Sequence, residues 1–328
     1  DYESVAAVKP DIIYVQLPGF GSDPTKPYYP FVAWGPNQAP LVGLEELTGH
    51  GGREPSGIST LSIPDYTSAL HATTAVLCGL EHRDRTGEGV HVDVSQFETT
   101  IGLLGPLVMN HELTGESQER VGNRSLWHAP EGVYPCAGGD ELREEWIAIS
   151  ADCDEAWAVI AAMAGPDLAD DPRFATMADR MANQDALDEA MGRWTASWDK
   201  VDLATRLQKA GVPAHMVSTN EDLIHDEHVK QRRWYEVNPS GRFRRDLYST
   251  NAIRMSDTPG YTTRGGPVLG EHTVEVLTEA GLSPEEVNAL IAGGEAFTMT
   301  EPGVIIDRPY EEWLHILFPD EPDTRDLP

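Results

Sequence analysis

The stretch SIPDYTSALHATTAVLCGLEHRDRTGEGVHVDVS, running from Ser62 to Ser95, decides how this chain is read. A Pro-Asp-Tyr step opens it and one uninterrupted, largely apolar helix follows. Ala69, Leu70, Ala72, Val76, Leu77 and Leu80 cover so much of that helix that burial on most sides is expected. Arg83 and Arg85 suit the negative, C-terminal end of the helix dipole. Thr86-Gly87-Glu88-Gly89 makes a turn, and Val90, Val92 and Val94 then alternate with His91 and Asp93 as a half-buried strand. Asp65 stands at the opening of the helix. There a carboxylate is either a cap or first-turn acid, stabilising by about 0.5–2 kcal/mol, or a chemical group. The pattern alone leaves both open.

Downstream, Ser95 caps a second apolar helix expected to reach about Met109. Upstream, residues 2–9 read as a helix closed by Lys9-Pro10, and Asp11 to Leu17 as a buried strand. That strand runs into Pro18-Gly19-Phe20-Gly21, whose glycines permit close backbone approach to a ligand. A dinucleotide fingerprint needs strand, glycines and helix together; here Pro24, Pro27 and Pro30 forbid the helix, so nicotinamide or flavin binding is set aside. Trp34, near two prolines and a glycine, either lines a pocket or plugs the core. Strand, helix, strand, helix implies α/β packing with a mainly parallel sheet.

Beyond residue 115 the chain becomes loop-rich, and His128 has pocket-like company in Trp127-His128-Ala129-Pro130-Glu131-Gly132. A strand at Trp146–Ser150 and amphipathic helices near 154–164, 183–197 and 201–210 suggest a second, smaller domain. Another strand at 215–217 and a helix at 220–228 follow. Short strands are expected over 230–262, turning at Pro239-Ser240-Gly241, then two helices over 270–290 divided at Gly281. The resulting division is 1–112, the large domain holding the 62–95 stretch; 113–235, the small domain with linkers; 236–293, a return to the large domain; and 294–328, an acidic tail.

Composition narrows the function. With 54 acidic against 24 basic residues the formal net charge is −30, a field that repels nucleic acids and anionic membrane surfaces. Such acidity reads as a solvated surface or as adaptation to a salty cytoplasm. No apolar run approaches the roughly 18–20 residues of a membrane span, and DYESVAAVKP lacks the pattern of a signal peptide. Cys78, Cys136 and Cys153 are odd in number and lack metal-ligand spacing, which suggests reduced thiols in a cytoplasmic protein without a metal site. There is no G-x-S-x-G elbow, no P-loop and no H-E-x-x-H.

Pro64-Asp65, the apolar helix, Arg85-Thr86-Gly87-Glu88-Gly89 and VDVSQFE together resemble the class III coenzyme A transferases, among them the formyl-CoA, carnitine-CoA and benzylsuccinate-CoA transferases. The resemblance extends to about residue 293 through Pro18-Gly19-Phe20-Gly21, Gly132-Val133-Tyr134-Pro135, Asp171-Pro172-Arg173-Phe174, Gly211-Val212-Pro213 and PVLGEHT at 267–273. It implies a Rossmann-like large domain, a smaller α+β domain and an interlocked dimer. It also implies that Asp65 is a covalent nucleophile passing coenzyme A between organic-acid thioesters and free carboxylates, with no permanently bound cofactor. Gly19, Phe20, Gly21, Trp34 and His128 become candidate contacts to substrate or coenzyme A.

An α-methylacyl-CoA racemase of the same fold is the alternative. The histidine base it adds would fall near Pro40 or Trp34, depending on the register, and neither is a histidine, although His50 lies nearby. A further alternative is a non-catalytic subunit of a heteromeric transferase. Members of the family carry a further segment ahead of the position of Asp1. The expectation is therefore a second polypeptide, a dimer mate or a subunit or fragment supplying that segment. Tyr310, Trp313, Ile316 and Phe318 in the tail either cover part of the surface so exposed or belong to a mobile acidic tail.

Overall fold

A computed structural model describes residues 1–57, 62–139, 144–238, 246–260, 262, 264–267 and 269–298. The expected turn at 239–241 and the tail beyond residue 298 lie outside the described residues. The chain divides by its internal packing into two units, Asp1–Met216 and Val217–Pro328.

The first unit opens with α1 (Tyr2–Val8), β1 (Ile13–Gln16), α2 (Gly35–Leu41), α3 (Ile63–Thr86) and β2 (Val90–Asp93). Next come α4 (Gln96–Ile101) and α5 (Gly105–Thr114), joined by a 3₁₀ turn over Gly102–Leu104. Strands β1 and β2 pair in parallel, Ile13 against Val90 through Gln16 against Asp93. Helix α3 is therefore the crossover of a β-α-β unit. It lies close to both strands because residue 79 is glycine; a Cβ there would come within 3.0 Å of Val90 and 3.1 Å of Ile13. Gly87 ends the helix in the left-handed region at φ 76°, which costs a glycine nothing.

The remainder of the unit is β3 (Glu131–Cys136), β4 (Glu145–Ser150), α6 (Asp154–Ala164), α7 (Pro166–Ala169), α8 (Met177–Ala182), α9 (Gln184–Thr195), α10 (Lys200–Lys209) and β5 (Ala214–Met216). The three strands form an antiparallel sheet in the order β3-β4-β5. Ile147 and Ile149 of β4 pack against Ile160 of α6, Leu187 and Met191 of α9, and Leu203 and Leu207 of α10 in the main hydrophobic core. Arg180 of α8 is fully buried beside that core, its Nε donating to Ala129 O at 2.7 Å.

The second unit contains α11 (Asn220–His225), α12 (Glu227–Gln231), the antiparallel pair β6 (Tyr235–Asn238) and β7 (Asp246–Ser249), α13 (Thr273–Glu279) and α14 (Pro284–Gly293). Ser283 and Glu286 form a capping box at the start of α14. No helix among the described residues is long and apolar enough to cross a membrane.

Several expectations are corrected. Helix α3 is not buried on most sides: Leu70 is 70% and Leu77 62% exposed, and only Pro64, Ser68 and Gly79 are buried. An apolar pattern states what a helix can bury, whereas burial needs an opposing surface. The parallel sheet has two described strands, and β1 is half-buried. The helix after Ser95 breaks at Gly102 and restarts at Gly105-Pro106, where proline lacks the N–H a continuous helix needs. The loop-rich 115–145 region contains β3, whose Pro135 is tolerated because β3 is an edge strand. Trp34 is 67% exposed and caps α2, so it does not plug the core.

The three thiols are free, with Cys78 and Cys153 exposed. Burial pushes the Cys136 thiol up to about 11, helped by the negative charges of Asp199 and Glu145 and opposed by Lys200. At pH 8 its thiolate fraction is therefore about 10⁻³. Peptide-resolved alkylation with iodoacetamide at that pH is expected to modify Cys78 and Cys153 at least about tenfold faster than Cys136 in the folded protein. Equal rates would contradict the packing described here.

Candidate active site

In a β-α-β unit the crossover helix runs opposite to its strands, so its N-terminus returns to their carboxyl edge. Open α/β sheets bind ligands outside that edge. Here three pieces of chain meet there: the exit of β1 at Pro18-Gly19, the start of α3 at Asp65, and the start of α4 at Gln96. The β1–β2 ladder continues past the strands to join them. Val94 N donates to Gln16 O at 2.9 Å, Gln96 N to Pro18 O at 3.1 Å, and Phe97 N to Gly19 O at 2.9 Å.

Asp65 is the third residue of α3, following the N-cap Ser62, and its side chain is exposed. Its own N–H donates to Ser62 O at 3.0 Å. The turn beneath it is tied by hydroxyls: Ser68 Oγ donates to Pro64 O at 2.7 Å, and Thr67 Oγ1 to Ile63 O at 3.1 Å. Thr67 Oγ1 also meets Thr100 Oγ1 at 3.3 Å, and Thr100 Oγ1 donates to Gln96 O at 2.8 Å, which locks the first turn of α3 to α4. Across this joint Gln96 Nε2 donates to Asp65 Oδ1 at 2.6 Å. Oδ2 has no hydrogen-bond partner among the described residues, and the residue is exposed.

The glycine loop is built around the same joint. A Cβ on Gly19 would sit 2.0 Å from that of Ala33, so only glycine lets the 33–38 segment close over the loop. Gln38, fully buried at the middle of α2, donates through Nε2 to Gly19 O at 3.2 Å. Its Oε1, and Ser62 Oγ, are sealed from solvent without a hydrogen-bond partner among the described residues. Phe20 packs edge-on to Tyr28 at 5.5 Å and tilted on Phe97 at 5.8 Å. Ser22 N donates to Asp93 Oδ2 at 3.0 Å, holding the far end of the loop to β2.

Of the candidate residues, the structure thus gathers Asp65, Gly19, Phe20 and Gly21 around the start of α4. Trp34 heads the helix whose Gln38 reaches Gly19. His128 belongs to a separate cluster: its Nδ1 meets Ser125 Oγ at 3.1 Å, and its Nε2 meets Ser150 Oγ at 3.2 Å and the Glu131 carboxylate. Ser125 and Glu131 also line a cavity of about 700 Å³ with His50, Arg53, Arg120 and Arg124, which Asp65 does not line. Two of its arginines are occupied. Arg120 pairs with Glu46 at 2.7 Å, and Arg124 reaches both Asp185 and Asp188 at 2.6 Å. Burial, followed by the charge of Asp188, pushes the Tyr134 phenol well above its usual range, so it stays protonated and donates to Asp188 Oδ1 at 3.1 Å.

Gln96 is the functional candidate that sequence reading missed. Its local signals are its place inside the VDVSQFE stretch and directly after Ser95, the serine that caps α4 just beyond β2. That place acquires meaning once β1 and β2 are known to be parallel neighbours.

The chain belongs to CoA-transferase family III, whose description matches residues 1–273. It is 32% identical over 294 residues to a succinyl-CoA–D-citramalate CoA-transferase of Chloroflexus aurantiacus, covering 89% of this chain and 71% of that protein. It is 30% identical over 290 residues to a succinyl-CoA:mesaconate CoA-transferase of Haloarcula hispanica, covering 86% and 69%. Among solved structures, a CAIB/BAIF family protein from Brucella suis superposes with a TM-score of 0.76 at 30% identity, over 85% of this chain and 70% of that one. The fold is thus that of the CaiB/BaiF proteins, and the chain is a CoA-transferase.

Proposed function

We propose that Asp65 is the covalent nucleophile with which this transferase moves coenzyme A from a dicarboxylic acyl-CoA such as succinyl-CoA to a second free carboxylate. The observation that carries this is the exposed Asp65 carboxylate at the carboxyl edge of β1 and β2, with Oδ1 held by Gln96 and Oδ2 without a hydrogen-bond partner among the described residues. The positive end of α3 favours an anion at that position by about 0.3–1 kcal/mol.

In the proposed sequence, Oδ2 attacks the thioester carbonyl carbon, the C–S bond breaks, and coenzyme A leaves as its thiolate with a mixed anhydride remaining on Asp65. The thiolate then attacks Cγ of Asp65 and expels the first carboxylate, which carries Oδ2 away. Coenzyme A is now held as an aspartyl thioester. An acceptor carboxylate reverses the two steps. Each step exchanges one activated acyl bond for another, so a difficult transfer is divided among easier ones without an external energy source. The dicarboxylic substrate class follows the acids named for both relatives.

The test is direct. Succinyl-CoA is incubated with citramalate, mesaconate or glutarate, and the thioesters are separated by chromatography. A new dicarboxylic CoA thioester is expected with at least one acid. Failure with all of them, or exchange of the substrate α-proton with deuterium without any CoA transfer, would overturn the reading.

The exposed apolar face of α3 supports a second proposal, that the chain works with another polypeptide, a second copy or a different subunit, that covers Leu70 and Leu77. Sedimentation is expected to give a mass above the 36.0 kDa of one chain. A monodisperse monomer would contradict it.

A further inference from the structure

We infer that Gln96 is a catalytic residue of this transferase, the hydrogen-bond donor to the oxyanion that forms on Asp65 itself. The inference rests on the reading of Asp65 as nucleophile and goes beyond it, because it assigns the group that stabilises each attack on the aspartyl carbonyl.

The assignment of atoms is unambiguous. A carboxylate only accepts hydrogen bonds, so the atom of Gln96 facing Asp65 Oδ1 at 2.6 Å is the amide nitrogen. When Oδ2 carries the acyl group, Oδ1 is the carbonyl oxygen of the anhydride. When coenzyme A is attached to Cγ, Oδ1 is the carbonyl oxygen of the thioester. In both cases the nucleophile adds to Cγ, the C=O π electrons move onto Oδ1, and the charge appears where Nε2–H already points. Collapse returns that pair to the carbonyl and expels the carboxylate or the thiolate, and no proton is transferred to or from Gln96.

The donor is held in advance of the reaction. Gln96 N and Phe97 N are fixed to Pro18 O and Gly19 O, Ser95 Oγ accepts from Glu98 N at 3.3 Å, and the Thr67–Thr100 contact fastens α4 to the first turn of α3. A donor whose backbone is fixed on both sides needs little reorganisation as charge develops, which is the condition under which such groups lower barriers most. Helix packing alone does not require the side chain; Gln96 is only half-buried, and the α3–α4 joint is made by threonines and backbone.

The test compares Gln96→Met and Gln96→Glu with the wild-type full chain in its native assembly. The readout is exchange of labelled succinate into succinyl-CoA, with single-turnover formation of the aspartyl-CoA thioester followed by mass spectrometry. Methionine keeps the length and removes the donor. Glutamate keeps the shape but places a negative charge against the developing oxyanion. The expected result is a loss of about 10²-fold in kcat and equally in kcat/KM for Gln96→Met, with a larger loss for Gln96→Glu. A side chain that only fills space makes the opposite prediction, since glutamate, of equal volume, would then be tolerated better than methionine.

Activity of Gln96→Met within about threefold of wild type, or Gln96→Glu equal to or better than Gln96→Met, overturns the assignment. Should methionine disturb folding, the glutamate variant still decides, because it preserves the side-chain volume. If wild-type protein forms no adduct on the Asp65 peptide, the nucleophile reading falls and this role with it. If the adduct forms while Gln96→Met stays fast, only Gln96 is dismissed.

Discussion

Replacing Asp65 by asparagine is expected to lower CoA transfer by on the order of 10⁴-fold or more while leaving the fold intact. The two halves of that expectation have separate causes. Activity falls because an amide oxygen is too weak a nucleophile to open a thioester. Stability is nearly unchanged because Asp65 is exposed, and its backbone bond to Ser62 O does not depend on the side chain. The amide oxygen of asparagine can still accept from Gln96, and the Thr67–Thr100 contact that makes the joint does not involve residue 65. The loss of the first-turn charge costs about 1 kcal/mol at most. Steady-state kinetics with succinyl-CoA and circular dichroism on the same sample check both halves. Residual activity within about tenfold of wild type would remove Asp65 from the centre of the chemistry.

The largest expected effect on stability lies elsewhere, at Arg180→Ala. Arg180 has no solvent exposure, and its guanidinium is used on every side. Nε donates to Ala129 O at 2.7 Å, Nη1 to Phe174 O at 3.3 Å and Nη2 to Asp154 Oδ1 at 2.7 Å, and the plane lies 5.1 Å from the centre of the Trp157 ring. Truncation leaves two carbonyls short of a donor, at about 1–3 kcal/mol each, and opens a cavity beside Trp157. A total loss of about 3–5 kcal/mol is expected, read as a lower urea midpoint without a change in the slope of the transition. The ion pair with Asp154 contributes little of this, because Asp154 is 68% exposed on its side chain and water screens it. Asp154→Asn is therefore expected to cost about 1 kcal/mol or less. Equal losses for the two variants would contradict the view that Arg180 acts mainly through buried carbonyls.

The two predictions fall on different parts of the first unit, and the contrast explains how much could be read in the sequence. The ends of α3 were legible because Ser62-Ile63-Pro64-Asp65 and Gly87 are local chemistry: a proline without an N–H in the first turn and a glycine in the left-handed region. The alternation of Val90 and Val92 with His91 and Asp93 gave β2 for the same reason. The exposure of Leu70 and Leu77 was not legible, since the sequence states their hydrophobicity and not what lies opposite. Strand β3 was hidden by Gly132 and Pro135, which read as loop until the edge position is known. Asp65 was legible as a first-turn acid, and its chemistry only through a resemblance. Gln96 was legible only as a member of the VDVSQFE stretch and its role was not, because its proximity to Asp65 comes from the parallel pairing of two strands 77 positions apart in register, Ile13 with Val90.

The most direct test of the central claim is to mix the assembled protein with succinyl-CoA, quench it in acid, digest it and weigh the peptide that contains Asp65. A covalent coenzyme A adduct on that peptide is expected, lost when an acceptor carboxylate is added before the quench and absent from Asp65→Asn. Turnover by the wild-type protein with that peptide never modified, or with the adduct on another residue, would contradict it.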